Sequence, residues 1–181
     1  MIAILLNDAS FEQDIRELLM AFYPGETFTH KEEEAGEAEL IVRGVRDGNS
    51  FSLDVTPVKK EAVHFALIYP DFSNRFETKN EIKQTLYRLL SAQTGRELPW
   101  GTLTGIRPTK IALTKLYDGW TDEQIETYMR ETYFTSKEKI DLSIDVAERE
   151  RRLLSTIDYE NGYSLYVGIP FCPTTCLYCS F

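Results

Sequence analysis

The stretch Leu40-Ile41-Val42-Arg43-Gly44-Val45-Arg46-Asp47-Gly48-Asn49-Ser50-Phe51-Ser52-Leu53-Asp54-Val55 holds two β-rich runs, Leu40 to Val45 and Phe51 to Val55, around Asp47-Gly48. An Asp-Gly pair between such runs predicts a hairpin, because both residues tolerate the positive φ that a tight turn demands. Upstream, Ile2 to Leu6 reads as a short apolar strand. A helix follows it, with Phe11, Ile15, Leu18, Leu19 and Phe22 on one face, Ser10 and Gln13 at capping-box spacing, and Pro24-Gly25 as its end. Between the helix and the hairpin, glutamates from Glu32 to Glu39 crowd around Gly36 as an exposed acidic loop, with no catalytic role assigned to it.

Downstream of the hairpin, Ala62 to Tyr69 is a further strand closed by Pro70. Ile82, Leu86, Leu89 and Leu90 then form the apolar face of a second helix, with Thr78 and Glu81 as its capping box and Gly95 at its C-cap. Residues 1–98 thus predict an α+β domain, a small antiparallel sheet with helices on one face. Two glycines and two prolines between Pro99 and Lys110 mark a boundary. Residues 99–158 read as a linker and helical segment, with helices over Pro108 to Tyr117, Thr121 to Glu131 and Ser136 to Leu154. Thr121 with Gln124, and Thr135 with Glu138, are the capping pairs there. Tyr163 to Ile169, within 159–181, is one more β-rich run and leads straight into the cysteines.

The net charge of −9 and pI near 4.8 argue against a general nucleic-acid binder, which needs a clustered excess of Lys and Arg. The apolar runs are too short to span a bilayer, and no basic-then-apolar leader follows Met1, so the expected setting is the cytoplasm. All three cysteines, Cys172, Cys176 and Cys179, fall within eight residues, which is odd in number and wrong in spacing for a disulfide framework. Thiolates separated by three and then two residues can each take one iron of a [4Fe–4S] cube, leaving the fourth iron open to a further ligand. A structural zinc would need a fourth ligand, and the histidines, His30 and His64, lie in the other candidate domain.

The run Tyr166-Val167-Gly168-Ile169-Pro170-Phe171-Cys172, continued by Cys176-Leu177-Tyr178-Cys179-Ser180-Phe181, resembles the radical S-adenosylmethionine (SAM) superfamily, in its oxygen-independent coproporphyrinogen III oxidase branch. Gly168 stands where that branch usually has histidine; with the block Leu103 to Lys110 it makes the chain similar to the HemZ-type coproporphyrinogen dehydrogenases. The resemblance implies that residues 159–181 are the first strand and cluster loop of a β/α barrel cut short, and that the chain is an N-terminal portion of a longer oxidoreductase. It implies a [4Fe–4S] cluster on the three cysteines, SAM on the open iron, and Tyr166 and Tyr178 as SAM contacts, Tyr178 at the adenine end. Packing is the alternative role for both tyrosines.

The implied reaction converts coproporphyrinogen III to protoporphyrinogen IX in haem biosynthesis, with the porphyrinogen and a protein electron donor as partners. No residue is assigned as catalytic. Other substrates for the same chemistry, a haem chaperone of the same fold, and a non-catalytic docking module in residues 1–155 are the alternatives. Arg107 and Lys110 either meet substrate propionates or brace the boundary.

Overall fold

The structure, a computed structural model, describes residues 1–58, 63–105, 107–158, 161–163, 165–168 and 177. Its sheet contains β1 (Ile2–Leu6), β2 (Phe28–Thr29), β3 (Leu40–Asp47), β4 (Ser50–Pro57) and β5 (His64–Ile68), in the order β2-β1-β3-β4-β5. Two helices, α1 (Glu12–Phe22) and α2 (Arg75–Thr94), cover one face, and α3 (Thr109–Tyr117), α4 (Asp122–Tyr133) and α5 (Lys137–Leu154) follow.

The expected antiparallel sheet is corrected to a mixed one. β1 runs parallel to both β2 and β3, while β3–β4 and β4–β5 are antiparallel. β1 fits a central place in such a sheet, because its first four residues are all buried. A strand buried on both faces reads as a continuous apolar run, and its parallel neighbours need long crossovers such as the one through α1. Ile2 and Ile4 face the helices, whereas Ala3 and Leu5 pack against Ala35 and Ala38 on the opposite face. The acidic stretch is therefore no open loop: Glu32–Glu37 forms a 3₁₀ helix that lays Ala35 on the sheet and turns its glutamates outward.

The hairpin forms with Asp47 opposite Ser50, so its turn is Gly48-Asn49, one residue beyond the expected pair, and Gly48 takes φ +58°. Caps shift in the same way. The α2 cap is Asn74, which accepts from the Glu77 amide, and Thr78 instead donates to the Asp71 carbonyl from inside the helix. Asp8 caps a short 3₁₀ turn over Ala9–Phe11 ahead of α1, displacing the Ser10 and Gln13 box. Ser136, not Thr135, caps α5. The Thr121 and Gln124 box on α4 forms in full, and Gly95 ends α2 at φ +68°.

The sheet and its two helices enclose one hydrophobic cluster that includes Phe22, Phe51, Leu18, Leu19, Leu86 and Leu90. Each such side chain contributes roughly 1.5–3 kcal/mol on burial. A second cluster joins α3, α4 and α5 through Ala112, Leu116, Ile125, Met129, Ile140 and Ala147. The segment before α3 ties the two together. Gly101, at φ +57°, tucks under the end of α4 where a Cβ would lie 1.9 Å from the Tyr133 carbonyl oxygen, so only glycine fits. Thr102 donates its amide to that same oxygen at 2.7 Å. The Ser136 amide reaches Pro99 at 2.9 Å, and Gln84 of α2 donates to the Thr132 carbonyl at 2.8 Å. Phe134, the left-handed C-cap of α4, packs its ring against that of Tyr87 of α2, with centroids 5.6 Å apart and planes tilted by 54°.

Candidate functional site

Of the residues expected to carry the chemistry, Cys172, Cys176, Cys179 and Tyr178 lie outside the described residues. Tyr166 is described and is 92% exposed. The strand expected over Tyr163 to Ile169 does not form at its described positions, 163 and 165–168. A strand persists by sharing backbone hydrogen bonds with a neighbour, and no strand of the sheet pairs with this stretch. Tyr163, Leu165, Tyr166 and Val167 consequently present apolar side chains to solvent. The packing role weighed for Tyr166 is thus not filled by the folded body.

Among the described residues no group of three or more His, Cys, Asp or Glu is placed to hold a metal. His30 sits with Nδ1 3.3 Å from the Ile4 carbonyl oxygen and Nε2 3.4 Å from a Glu12 carboxylate oxygen, and His64 begins β5.

The boundary block resolves into braces. Arg107 forms an ion pair with Glu150 of α5, and Lys110 lies exposed in the first turn of α3. Thr104 of the same block meets a buried cation that sequence reading missed. Lys83 of α2 is only 7% exposed, and its Nζ donates to Thr104 Oγ1 at 2.8 Å. Thr104 Oγ1 in turn donates to Glu17 Oε2 of α1 at 2.9 Å. Burial pushes the Lys83 ammonium below its usual range, against the opposing pull of Asp14 and Glu17.

Asp14, Glu17 and Lys79 also line a cleft of about 480 Å³ beside this chain of contacts, together with Arg75 and Ser10. The arrangement links α1, α2 and the boundary segment through one amine, one hydroxyl and one carboxylate, a tie rather than a reactive constellation. A lysine one residue after Ile82, and three and four residues before Leu86 and Tyr87, stands on the buried face of α2; that position was the available signal.

Over 130 residues, 70% of its length, the chain is 36% identical to the oxygen-independent coproporphyrinogen-III oxidase-like protein HemZ of Bacillus subtilis (strain 168). The match takes in 26% of that protein, so the chain spans about a quarter of the length of this curated relative. No protein-family model matches the chain. No solved structure gives a significant match either. Among the described residues no helix is long and apolar enough to cross a membrane.

Proposed function

We propose that this chain is the N-terminal portion of a cytoplasmic radical SAM enzyme that oxidatively decarboxylates coproporphyrinogen III to protoporphyrinogen IX. The observation that carries this reading is the spacing of Cys172, Cys176 and Cys179, set in a chain 36% identical to a relative whose name describes it as coproporphyrinogen-III oxidase-like. The donor set suits the cofactor: three soft thiolates on eight residues satisfy three irons of a [4Fe–4S] cluster and leave one for SAM. Cluster and SAM together supply one-electron chemistry at an unactivated C–H bond.

In this reading Cys172, Cys176 and Cys179 would hold the irons, and Tyr166 and Tyr178 would contact SAM, Tyr178 beside its adenine end. Two of the four propionates would each become a vinyl group, losing carbon dioxide, a hydrogen atom that the SAM-derived fragment takes up, and one further electron that passes to an external acceptor. A protein reductant delivers the electron that starts each cycle. The described residues between 1 and 158 would form the body that carries the cysteine segment.

The test is an anaerobic assay of the intact polypeptide with coproporphyrinogen III, SAM and a reductant. Vinyl products accompanied by SAM consumption are expected; SAM cleavage without vinyl product rejects the substrate. Gly168, where the branch carries histidine, favours as second reading another substrate for the same chemistry or a haem chaperone. Stoichiometric haem binding without turnover would select the chaperone.

A further inference from the structure

The outer face of the sheet is covered over β1 and β3 by Ala35 and Ala38, and the cover stops there. Over β4 and β5 no described residue covers it. Phe65 and Leu67 of β5 are 60% and 48% exposed, and Val63 and Tyr69, flanking the strand at the same alternation, are 55% and 70% exposed. Phe65 stands opposite Asp54, and Leu67 opposite Ser52.

The polar groups of this face are already satisfied inside the chain. Arg43 grips Glu32 through two hydrogen bonds of 2.7 and 3.1 Å, Thr56 donates to the Asp54 carboxylate, and Ser52 donates to the Val45 carbonyl at 3.4 Å. These internal partners leave the charged groups of Arg43, Glu32 and Asp54 at the solvated side of the face, and the apolar side chains of β5 are what can drive association. The edge beside it is also undefended. β5 reads His-Phe-Ala-Leu-Ile, with no lysine, proline or bulge-forming glycine, whereas the opposite edge, β2, has only two residues.

Size decides the occupant. Two strands about 4.8 Å apart and five residues long, at about 3.3 Å per residue, make a face with a footprint on the order of 160 Å². A free second copy needs about 800 Å² per partner. A tethered segment meets far less entropy cost, because its effective concentration is already high.

We infer that the outer face of β4 and β5 is the docking surface for the remainder of the same polypeptide, the part that the match to HemZ leaves uncovered. The inference rests on the proposed reading of this chain as part of a longer enzyme.

Hydrogen exchange on the intact polypeptide tests it. Residues 63–69 should exchange slowly, and at least tenfold faster in a double variant Phe65→Thr with Leu67→Thr, which places strand-compatible β-branched side chains at both positions. Exchange in α2 should stay unchanged and the mass should stay monomeric. Equal rates over 63–69 in both proteins overturn the inference, as does a dimer that the double variant dissociates.

A second measurement needs no variant. Tyr69 of the unaltered polypeptide should resist acetylation by N-acetylimidazole; modification at the rate of a free tyrosine amide again overturns the docking. Iron content of the same samples separates the two readings. A covered face without iron rejects only the cluster, and bound iron with an open face rejects only the docking.

Discussion

Where α1, α2 and the sheet fill their shared core with Phe22, Phe51, Leu18, Leu19, Leu86 and Leu90, the three-helix cluster includes a pair of alanines, Ala112 and Ala147, beside Ile125, Met129 and Ile140. Large side chains interlocking between layers make the first cluster self-sufficient. The second cluster is smaller than the first and counts two alanines among its members, so its attachments add proportionately more to it. Those are the Gly101 and Thr102 contacts with the Tyr133 carbonyl, the bond from Gln84, and the tilted ring contact of Phe134 with Tyr87. The difference is one between a core and a docked brace.

Core truncations should expose that difference most strongly. Phe51→Ala, at a fully buried ring, should cost about 3–5 kcal/mol in urea denaturation. Ile125→Ala in the smaller cluster should cost about 2–4 kcal/mol. If it instead unfolds α3–α5 as a separate transition while the sheet persists, the two clusters are independent units.

Gly101→Ala comes next, because the new Cβ meets backbone and the positive φ alone costs about 1–2 kcal/mol. Its thermal midpoint should fall, with amide exchange rising first at Thr102 and Ser136; a neutral substitution would break the picture of a docked brace. Thr121→Ala removes one arm of the α4 capping box and should cost about 1 kcal/mol by chemical denaturation.

The smallest effect concerns acid stability. Hydrogen bonds from Ser10, and then Arg46, hold the Asp8 carboxyl down at about 2. A carboxylate depressed in the folded state stabilises it above the ordinary value near 3.8, and that contribution fades as pH falls towards 2. Asp8→Asn should flatten the stability profile of the native chain over this interval, as read from denaturation midpoints at successive pH values.

Much of the body was legible in the sequence because it is local. Helical stripes, the hairpin and the α4 capping box follow from neighbours a few residues apart. The misplaced caps have a common cause: Asn74 with Glu77 and Thr78 with Glu81 are overlapping signals of the same kind, and only tertiary contacts, here Thr78 to the Asp71 carbonyl, select the first. The parallel pairing of β1 was missed because the choice between parallel and antiparallel neighbours is made by residues far away in the chain. Lys83 escaped for a similar reason, since its partner Thr104 belongs to another segment. The proposed cluster reading of the cysteine triplet needed no fold, since it rests on the spacing of Cys172, Cys176 and Cys179 and on the resemblance of the residues around them.

That spacing is also where the account is most directly tested. The intact polypeptide should be reconstituted with iron and sulfide under strict anaerobic conditions, and its iron content and ultraviolet-visible spectrum recorded beside those of a Cys172→Ala, Cys176→Ala, Cys179→Ala variant. About four irons per chain with broad thiolate-to-iron absorption, both lost in the variant, is the predicted result. Preferential uptake of zinc, or iron that remains after the three cysteines are replaced, would contradict it.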